Sequence, residues 1–150
     1  MIASELIKGF EGCKLQAYQD VVGVWTVGFG STGKDIKEGT TWTQDDCDKR
    51  LRLDLLMIEK DIQELVKVPL TLNQVAALSS FIYNLGYGNF KSSTLLKKLN
   101  EKDYEAAADE FLRWDHAGSK KVKGLSIRRA KERKIFLQQG EQKWILSKNN

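Results

Sequence analysis

Apolar residues recur at helical spacing at the start of the chain. Leu6, Ile7 and Phe10 would share one face of a short amphipathic helix. Gly12 is a natural stop for such a helix, so Glu11 is predicted to lie on its last turn. The helix dipole disfavours a negative charge at that end, which favours a carboxyl group that stays protonated.

Residues 17 to 30 have a different pattern, in which β-branched and aromatic residues are punctuated by glycines. This pattern predicts a β-hairpin that turns near Val22 and Gly23. Asp20 would lie just before the turn, and Thr26 would lie on the returning strand. A register centred on the turn would bring these two side chains close together across the ladder. A hydroxyl beside a carboxylate can hold a water molecule.

Helical patterns return after the hairpin and continue over most of the chain. Thr43 and Asp46 form a capping signal for a long helix of about six turns, which is expected to end before Pro69. Thr71 and Gln74 form a second capping signal, and the helix that follows is apolar on most sides, as in the centre of a core. Further helices are predicted at about 93–100, 104–114 and 125–139.

Together these elements predict an α+β fold. We expect one domain over residues 1–150, with a small lobe at about 13–50 that carries the hairpin. The larger helical lobe would comprise about 60–150 plus the N-terminal helix, and the long helix would join the two lobes. The cleft between the lobes is the expected site.

Two carboxylates in different surroundings suit the cleavage of a glycosidic bond, because one can act as an acid while the other stays ionised. Glu11 and Asp20 are the candidates, with the hydroxyl of Thr26 nearby. A Glu at a helix end near an Asp is more often a simple pair of surface charges. The residues alone therefore leave both interpretations open.

The segment ELIKGFEGCKLQAYQDVVGVWTVGFGSTG resembles the start of the bacteriophage-type lysozymes, the endolysin family of glycoside hydrolases. Residues 81–100 and 124–140 resemble the family's middle and C-terminal segments, so nearly the whole chain is covered. The resemblance implies a lysozyme-like fold, with Glu11 as proton donor and Asp20 as base or electrostatic partner. It also implies that Thr26 helps to position the attacking water. Ser31 departs from the family pattern, since many relatives have His there.

The same resemblance implies an endolysin that causes host cell lysis. It would hydrolyse, with inversion, the β-1,4 bond between N-acetylmuramic acid and N-acetylglucosamine in bacterial peptidoglycan. Gly30, Tyr83, Asn84 and Arg128 would bind the substrate. We expect no cofactor and no metal, because the single histidine and the two cysteines form no cluster of metal ligands.

Cys13 and Cys47 are too few for a disulfide framework, and we interpret both as packing residues. A regulatory or catalytic thiol at Cys13 is the alternative. The chain has no run of about 18 apolar residues and no signal-peptide pattern, so we expect neither stable membrane insertion nor a signal peptide. Some phage lysozymes carry an N-terminal signal anchor that this sequence lacks, so either export depends on another protein or the anchor has been removed. The expected location is the host cytoplasm before release, with action as a monomer on periplasmic or cell-wall peptidoglycan.

The C-terminal third is basic, with nine Lys and Arg residues between positions 113 and 134 opposed by Asp115 and Glu132. Such a surface favours polyanions, which include the bacterial wall. Two alternative functions stay open: a nucleic-acid-binding module that would not need Glu11, and an inactive protein that binds the cell wall. From Lys120 to Lys134 the basic run has no interleaved aromatic residue, and it shows no zinc or recognition-helix pattern, so we expect no nucleic-acid partner.

Overall fold

The computed structural model describes residues 2–140 and 143–144. Its helices are α1 (Ile2–Glu11), α2 (Gln44–Leu65), α3 (Leu72–Leu85), α4 (Tyr87–Lys91), α5 (Thr94–Asn100), α6 (Tyr104–Glu110) and α7 (Lys123–Leu137), with a 3-10 turn at Phe111–Arg113. The strands of these residues form two antiparallel hairpins, β1 (Lys14–Gln19) with β2 (Trp25–Gly28) and β3 (His116–Ala117) with β4 (Lys120–Lys121). The predicted α+β class is confirmed.

The chain divides into two compact units, one comprising Ala3–Met57 and one beginning at Ile58. From Ala3 onward, helix α1 belongs to the first unit, whereas we expected the N-terminal helix to be part of the helical lobe. Lys8 on α1 explains this difference, because its Nζ atom is 3.1 Å from Oδ1 of Asp48 and also lies over the ring of Phe29. The bounds of the two lobes remain a proposal.

In the first unit, the hairpin turns where the sequence predicts. The amide of Asp20 donates to the carbonyl of Val24 at 2.9 Å, so the connecting loop is 21–23. The register differs from the expected one, because Thr26 lies opposite Tyr18 rather than close to Asp20 across the ladder. The reason is that the loop has three residues, so the hairpin is centred on Val22, and Thr26 is paired with Tyr18. Since side chains alternate along a strand, Asp20 and Thr26 are diagonal neighbours on one face.

Helix α2 begins at a reciprocal capping box, as predicted. The amide of Asp46 donates to Oγ1 of Thr43 at 3.1 Å, and the amide of Thr43 donates to Oδ2 of Asp46 at 2.9 Å. The helix then runs for 22 residues and ends before Pro69. Its buried residues in the first unit are Cys47, Leu51 and Leu55.

In the second unit, α3 occupies the core. It begins at the predicted capping box of Thr71 and Gln74, and every residue from Val75 to Ile82 is buried. The ring of Phe81 makes edge contacts with the ring of Phe111, at a centroid distance of 5.4 Å, and with Trp114, at 5.6 Å. Helix α7 is the main partner of α3.

The remaining predicted helices are found close to their expected positions as α5, α6 and α7. Two short elements were not predicted from the sequence: α4, which has five residues, and the β3–β4 hairpin, whose strands have two residues each. Such short elements carry too little periodicity to be predicted. Across the described ranges, no helix has the length and apolar character needed to span a membrane.

Candidate active site

Glu11 lies at the end of α1, as predicted. The helix ends there because Gly12 adopts a φ of 64°, in the left-handed region that glycine favours. The Glu11 carboxylate lies directly against Gly30, since a Cβ atom built on Gly30 would be only 2.8 Å from Oε2 of Glu11. Gly30 itself has a φ of 78°. The structure thus brings two predicted site residues together, and only glycine fits this contact.

The turn that carries Gly30 is held firmly. Val27 and Ser31 exchange two backbone hydrogen bonds of 3.0 and 2.8 Å, which close the turn at its base. Phe29 at its tip is buried, and the ammonium group of Lys8 lies 5.4 Å from the centre of its ring. This packing fixes the position of Gly30 relative to the last turn of α1.

Asp20 is oriented by the loop of its own hairpin. Its Oδ1 atom accepts hydrogen bonds from the amides of Val22, at 3.0 Å, and Val24, at 2.9 Å. The side-chain amide of Gln19 braces the loop by donating to the carbonyl of Gly23 at 3.2 Å. Both loop amides contact Oδ1, which leaves Oδ2 to interact with a ligand.

Thr26 is buried on β2, and its Oγ1 atom donates to the carbonyl of Val24 at 3.0 Å. Because the hydroxyl proton is committed to this carbonyl, the hydroxyl oxygen can only accept further hydrogen bonds. Val24 therefore links both candidates, since its N–H holds Asp20 and its C=O holds Thr26. This link through Val24 could not be predicted from the sequence, because it depends on the length of the loop.

Three further candidates lie in the second unit. Tyr83 and Asn84 are half-buried near the end of α3, and Tyr83 packs against the core. Oδ1 of Asn84 accepts a hydrogen bond of 2.9 Å from Arg129. Arg128 is buried, and its NH2 group donates to the carbonyl of Ser80 at 3.1 Å. Substrate contacts by these residues remain predictions.

A buried ionic network in α7 escaped the sequence analysis. Glu132 is fully buried, with Oε1 at 2.7 Å from Nε of Arg129 and Oε2 at 3.4 Å from Nε of Arg128. Burial raises the pKa of Glu132, while the two guanidinium groups and the hydroxyl of Ser80 oppose that shift. The spacing of 128, 129 and 132 is that of helical neighbours and could have indicated the network.

The potential metal ligands are scattered over the part of the chain that the structure describes. No group of three His, Cys, Asp or Glu side chains is arranged there to hold a metal ion.

A carboxyl group at the end of the first helix, together with a hairpin that orients an Asp and a Thr, defines a lysozyme-like glycosidase. The model of the phage lysozyme family matches residues 8–132. The SAR-endolysin of bacteriophage PS119 is 45% identical over 142 residues, which cover 91% of this chain and 85% of that protein. The chain therefore belongs to the phage lysozyme family.

Solved structures agree with this assignment. The muramidase domain of SpmX from Asticaccaulis excentricus has a TM-score of 0.85 and 40% identity, and the match covers 91% of this chain and 95% of that domain. A mutant of the P22 lysozyme has a TM-score of 0.80 and 42% identity, with the same coverage of both chains. These matches confirm the lysozyme-like fold, and the protein is a lysozyme, a glycosidase that acts on peptidoglycan.

Proposed function

We propose that this protein is an endolysin that hydrolyses the β-1,4 bond between N-acetylmuramic acid and N-acetylglucosamine, with inversion at the anomeric carbon. The observation that carries the proposal is the link between Asp20 and Thr26 through Val24. It gives the hairpin two acceptor oxygens on one face. A nucleophilic water needs such acceptors.

The water would be oriented by the two hydrogen bonds that it donates. While the carboxylate of Asp20 is ionised, its Oδ2 atom acts only as a hydrogen-bond acceptor toward the water. The Oγ1 atom of Thr26 also acts only as an acceptor toward the water, because its own proton is donated to the carbonyl of Val24. A water that donates both hydrogens keeps its lone pairs for attack on the sugar. Asp20 would act as the base that removes the proton as the bond forms.

Glu11 would be the general acid that protonates the leaving oxygen. Its carboxyl group lies at the C-terminal end of α1, and the backbone at Gly30 fixes it on one side. Inverting glycosidases hold their carboxyl groups roughly 6.5–9.5 Å apart so that a water fits, whereas retaining enzymes hold them about 5–5.5 Å apart. A water site built by Asp20 and Thr26 has no purpose if Asp20 attacks the sugar directly.

For the second unit, we propose that the ring of Tyr83 stacks on a sugar face. The Oδ1 atom of Asn84 is held by Arg129, which leaves its amide N–H groups to donate to an acetamido carbonyl. We also propose that Arg128 and Gly30 contact the substrate. The enzyme would be present in the host cytoplasm before release and act as a monomer on the wall.

Lysis of permeabilised bacteria tests the role of Glu11. Glu11→Gln should reduce the rate of turbidity loss by about 10²–10⁴-fold, because the amide has nearly the same shape but cannot supply a proton. Glu5→Gln on the same helix is the matched control and should keep parental activity, since Glu5 is exposed on the first turn. A Glu11→Gln variant that keeps more than about a tenth of parental activity would exclude general acid catalysis by Glu11.

The stereochemistry has its own test. NMR of the first product should show the α-anomer released from the β-linked glycan, because attack by water from the opposite face inverts the centre. A β-anomer, or a covalent glycosyl-enzyme trapped on Asp20, would contradict the water-positioning role of Asp20 and Thr26. It would leave the assignment as a muramidase intact.

A further inference from the structure

We propose that Cys13 and Cys47 form an oxidisable thiol pair, a modification site at which an external disulfide converts the two thiols into an intramolecular disulfide. The bond would tie the start of β1 to α2. This inference does not depend on the catalytic roles proposed above.

Backbone geometry places the two cysteines in neighbouring segments around Gly28. Cys47 lies under Gly28, because a Cβ atom built on Gly28 would be 3.4 Å from Sγ of Cys47. Gly28 is paired with Lys14 in the hairpin, and Cys13 immediately precedes Lys14. Both cysteines are free, and Cys13 acts on Cys47 closely enough to raise the pKa of the Cys47 thiol. Thiols that interact this closely need only small rotations to reach the sulfur separation of about 2.05 Å in a disulfide.

The two thiols differ in their access to solvent. Cys13 is half-buried and lines a surface depression of about 510 Å³ along β1, so a small reagent can reach it. Cys47 is only 1% exposed. Burial, followed by the hydrogen bond and charge of Cys13 and the charges of Asp48 and Asp46, raises the pKa of Cys47 to about 12. An external disulfide must therefore react first with Cys13.

The reaction proceeds by two thiol–disulfide exchanges. The deprotonated Cys13 sulfur attacks an external disulfide such as oxidised glutathione, which forms a mixed disulfide and releases one glutathione. Cys47 then attacks the Cys13 sulfur, loses its proton and releases the second glutathione. The protein loses two hydrogens and two electrons, and the external disulfide is reduced to two thiols. Once Cys13 carries glutathione, its charge no longer opposes deprotonation of Cys47.

The disulfide would close a loop that contains the whole catalytic hairpin. Asp20, Thr26 and Gly30 all lie between Cys13 and Cys47 in the sequence. A loop of this length restricts the unfolded chain strongly, and for a protein of this size the melting temperature should rise by about 8–15 °C. Oxidation would thus stabilise the first unit where it holds the hairpin in place.

The test uses the full chain exposed to oxidised glutathione, with free-thiol titration, non-reducing mass spectrometry and melting curves. The parent should lose both free thiols, show a mass lower by two hydrogens without bound glutathione, and melt at a higher temperature until dithiothreitol reverses the change. Cys47→Ser should stop at a glutathione adduct on Cys13. Cys13→Ser should keep its buried thiol free and its melting temperature unchanged.

Two outcomes in the parent protein would overturn the proposal. One is a stable glutathione adduct on Cys13, which would show that the Cys47 sulfur cannot reach it. The other is two titratable thiols after prolonged exposure to the oxidant. Neither outcome requires the variants to fold, and neither involves the lytic activity, so failure here is distinct from failure of the proposed function.

Discussion

At the residue scale, the contact between Gly30 and Glu11 gives the sharpest prediction about the site. Gly30→Ala would place a methyl group 2.8 Å from Oε2 of Glu11 and force an L-residue into a left-handed conformation. The backbone strain should cost about 1–2 kcal/mol of stability. The displaced carboxyl group should lower the lysis rate further, by about 10²-fold for a shift of about 1 Å.

Gly39→Ala is the matched control for this substitution. Gly39 has a φ of 86°, so it carries similar strain, but no atom lies within 4 Å of the Cβ that it would gain. Urea unfolding should therefore show similar losses of stability in the two variants, while only Gly30→Ala loses activity in folded samples. Equal activity in the two variants would show that Gly30 does not position Glu11.

Glu132 gives a second prediction at this scale, one of stability. Glu132→Gln removes the negative charge between Arg128 and Arg129, both of which are buried and stay charged. Loss of one partner of a buried ion pair should cost about 3–5 kcal/mol in the free energy of unfolding. The surface pair of Lys98 and Glu101 offers the control, because Glu101→Gln should cost no more than about 1 kcal/mol. A small decrease in the free energy of unfolding of Glu132→Gln would mean that the buried network contributes little to stability.

At the scale of elements, the β3–β4 hairpin is anchored by the buried carboxylate of Asp115. Oδ1 lies 2.7 Å from Nδ1 of His116, Oδ2 accepts from Ser126 at 3.2 Å, and Lys121 lies 3.6 Å away. Burial disfavours the ionised form, but these hydrogen bonds and charges outweigh it and hold the pKa of Asp115 below its usual range. The ionised carboxylate therefore stabilises the folded state.

This anchor predicts a loss of stability in acid. Because the folded pKa of Asp115 lies below the unfolded value of about 3.9, its contribution is present above that value and disappears as the pH falls through the folded pKa. Melting temperatures of the parent and Asp115→Asn should differ near neutral pH, and the difference should shrink below about pH 4. A difference that stays constant to about pH 2.5 would contradict the lowered pKa.

The elements themselves differ in how far the sequence could predict them. The two capping boxes at Thr43 and Thr71 are local hydrogen-bond patterns, so the starts of α2 and α3 were predicted correctly. The hairpin was also predicted, but its register was not. A change of one residue in loop length moves every cross-strand pair, and the turn residues Val22 and Gly23 suit more than one loop.

The candidate site shows the same division between local and distant information. The helix-end position of Glu11 follows from nearby residues, whereas its proposed role as proton donor is implied by the family resemblance. The contact of Glu11 with Gly30 and the pairing of Arg128 with Ser80 join residues far apart in the sequence. Periodicity and spacing carry no information about such contacts, so only the structure could supply them.

At the scale of the whole molecule, fewer basic side chains of the C-terminal segment are available to attract an anionic wall than the sequence indicates. Arg128 and Arg129 are buried on Glu132, Arg133 pairs with Asp109 at 2.8 Å, and Arg113 and Lys121 also have acidic partners. The exposed lysines that remain for attraction to an anionic wall include Lys120, Lys123 and Lys134. Helical spacing indicates the pairs of Glu132 with Arg128 and Arg129, whereas the pairing of Arg133 with Asp109 joins two helices and could not be predicted from the sequence.

If the wall attracts the enzyme electrostatically, the rate of wall lysis should depend on these three lysines. Reversing Lys120, Lys123 and Lys134 to Glu should slow lysis of whole walls more than cleavage of a short soluble oligosaccharide, because long-range attraction acts mainly on a large polyanion. Added salt should reduce parental lysis of walls in the same way, since the Debye length falls from about 10 Å at 0.1 M to about 3 Å at 1 M.

The control variant changes the same net charge elsewhere. Lys34, Lys60 and Lys97 are exposed lysines outside the basic segment, so their reversal to Glu alters the total charge equally. If the position of the charge matters, this control should retain more wall lysis than the variant in the basic segment. Equal losses of wall lysis in the two variants would show that net charge alone governs encounter with the wall. Equal losses on walls and on the soluble oligosaccharide would instead indicate damage to the site or the fold, and would exclude steering by the basic segment.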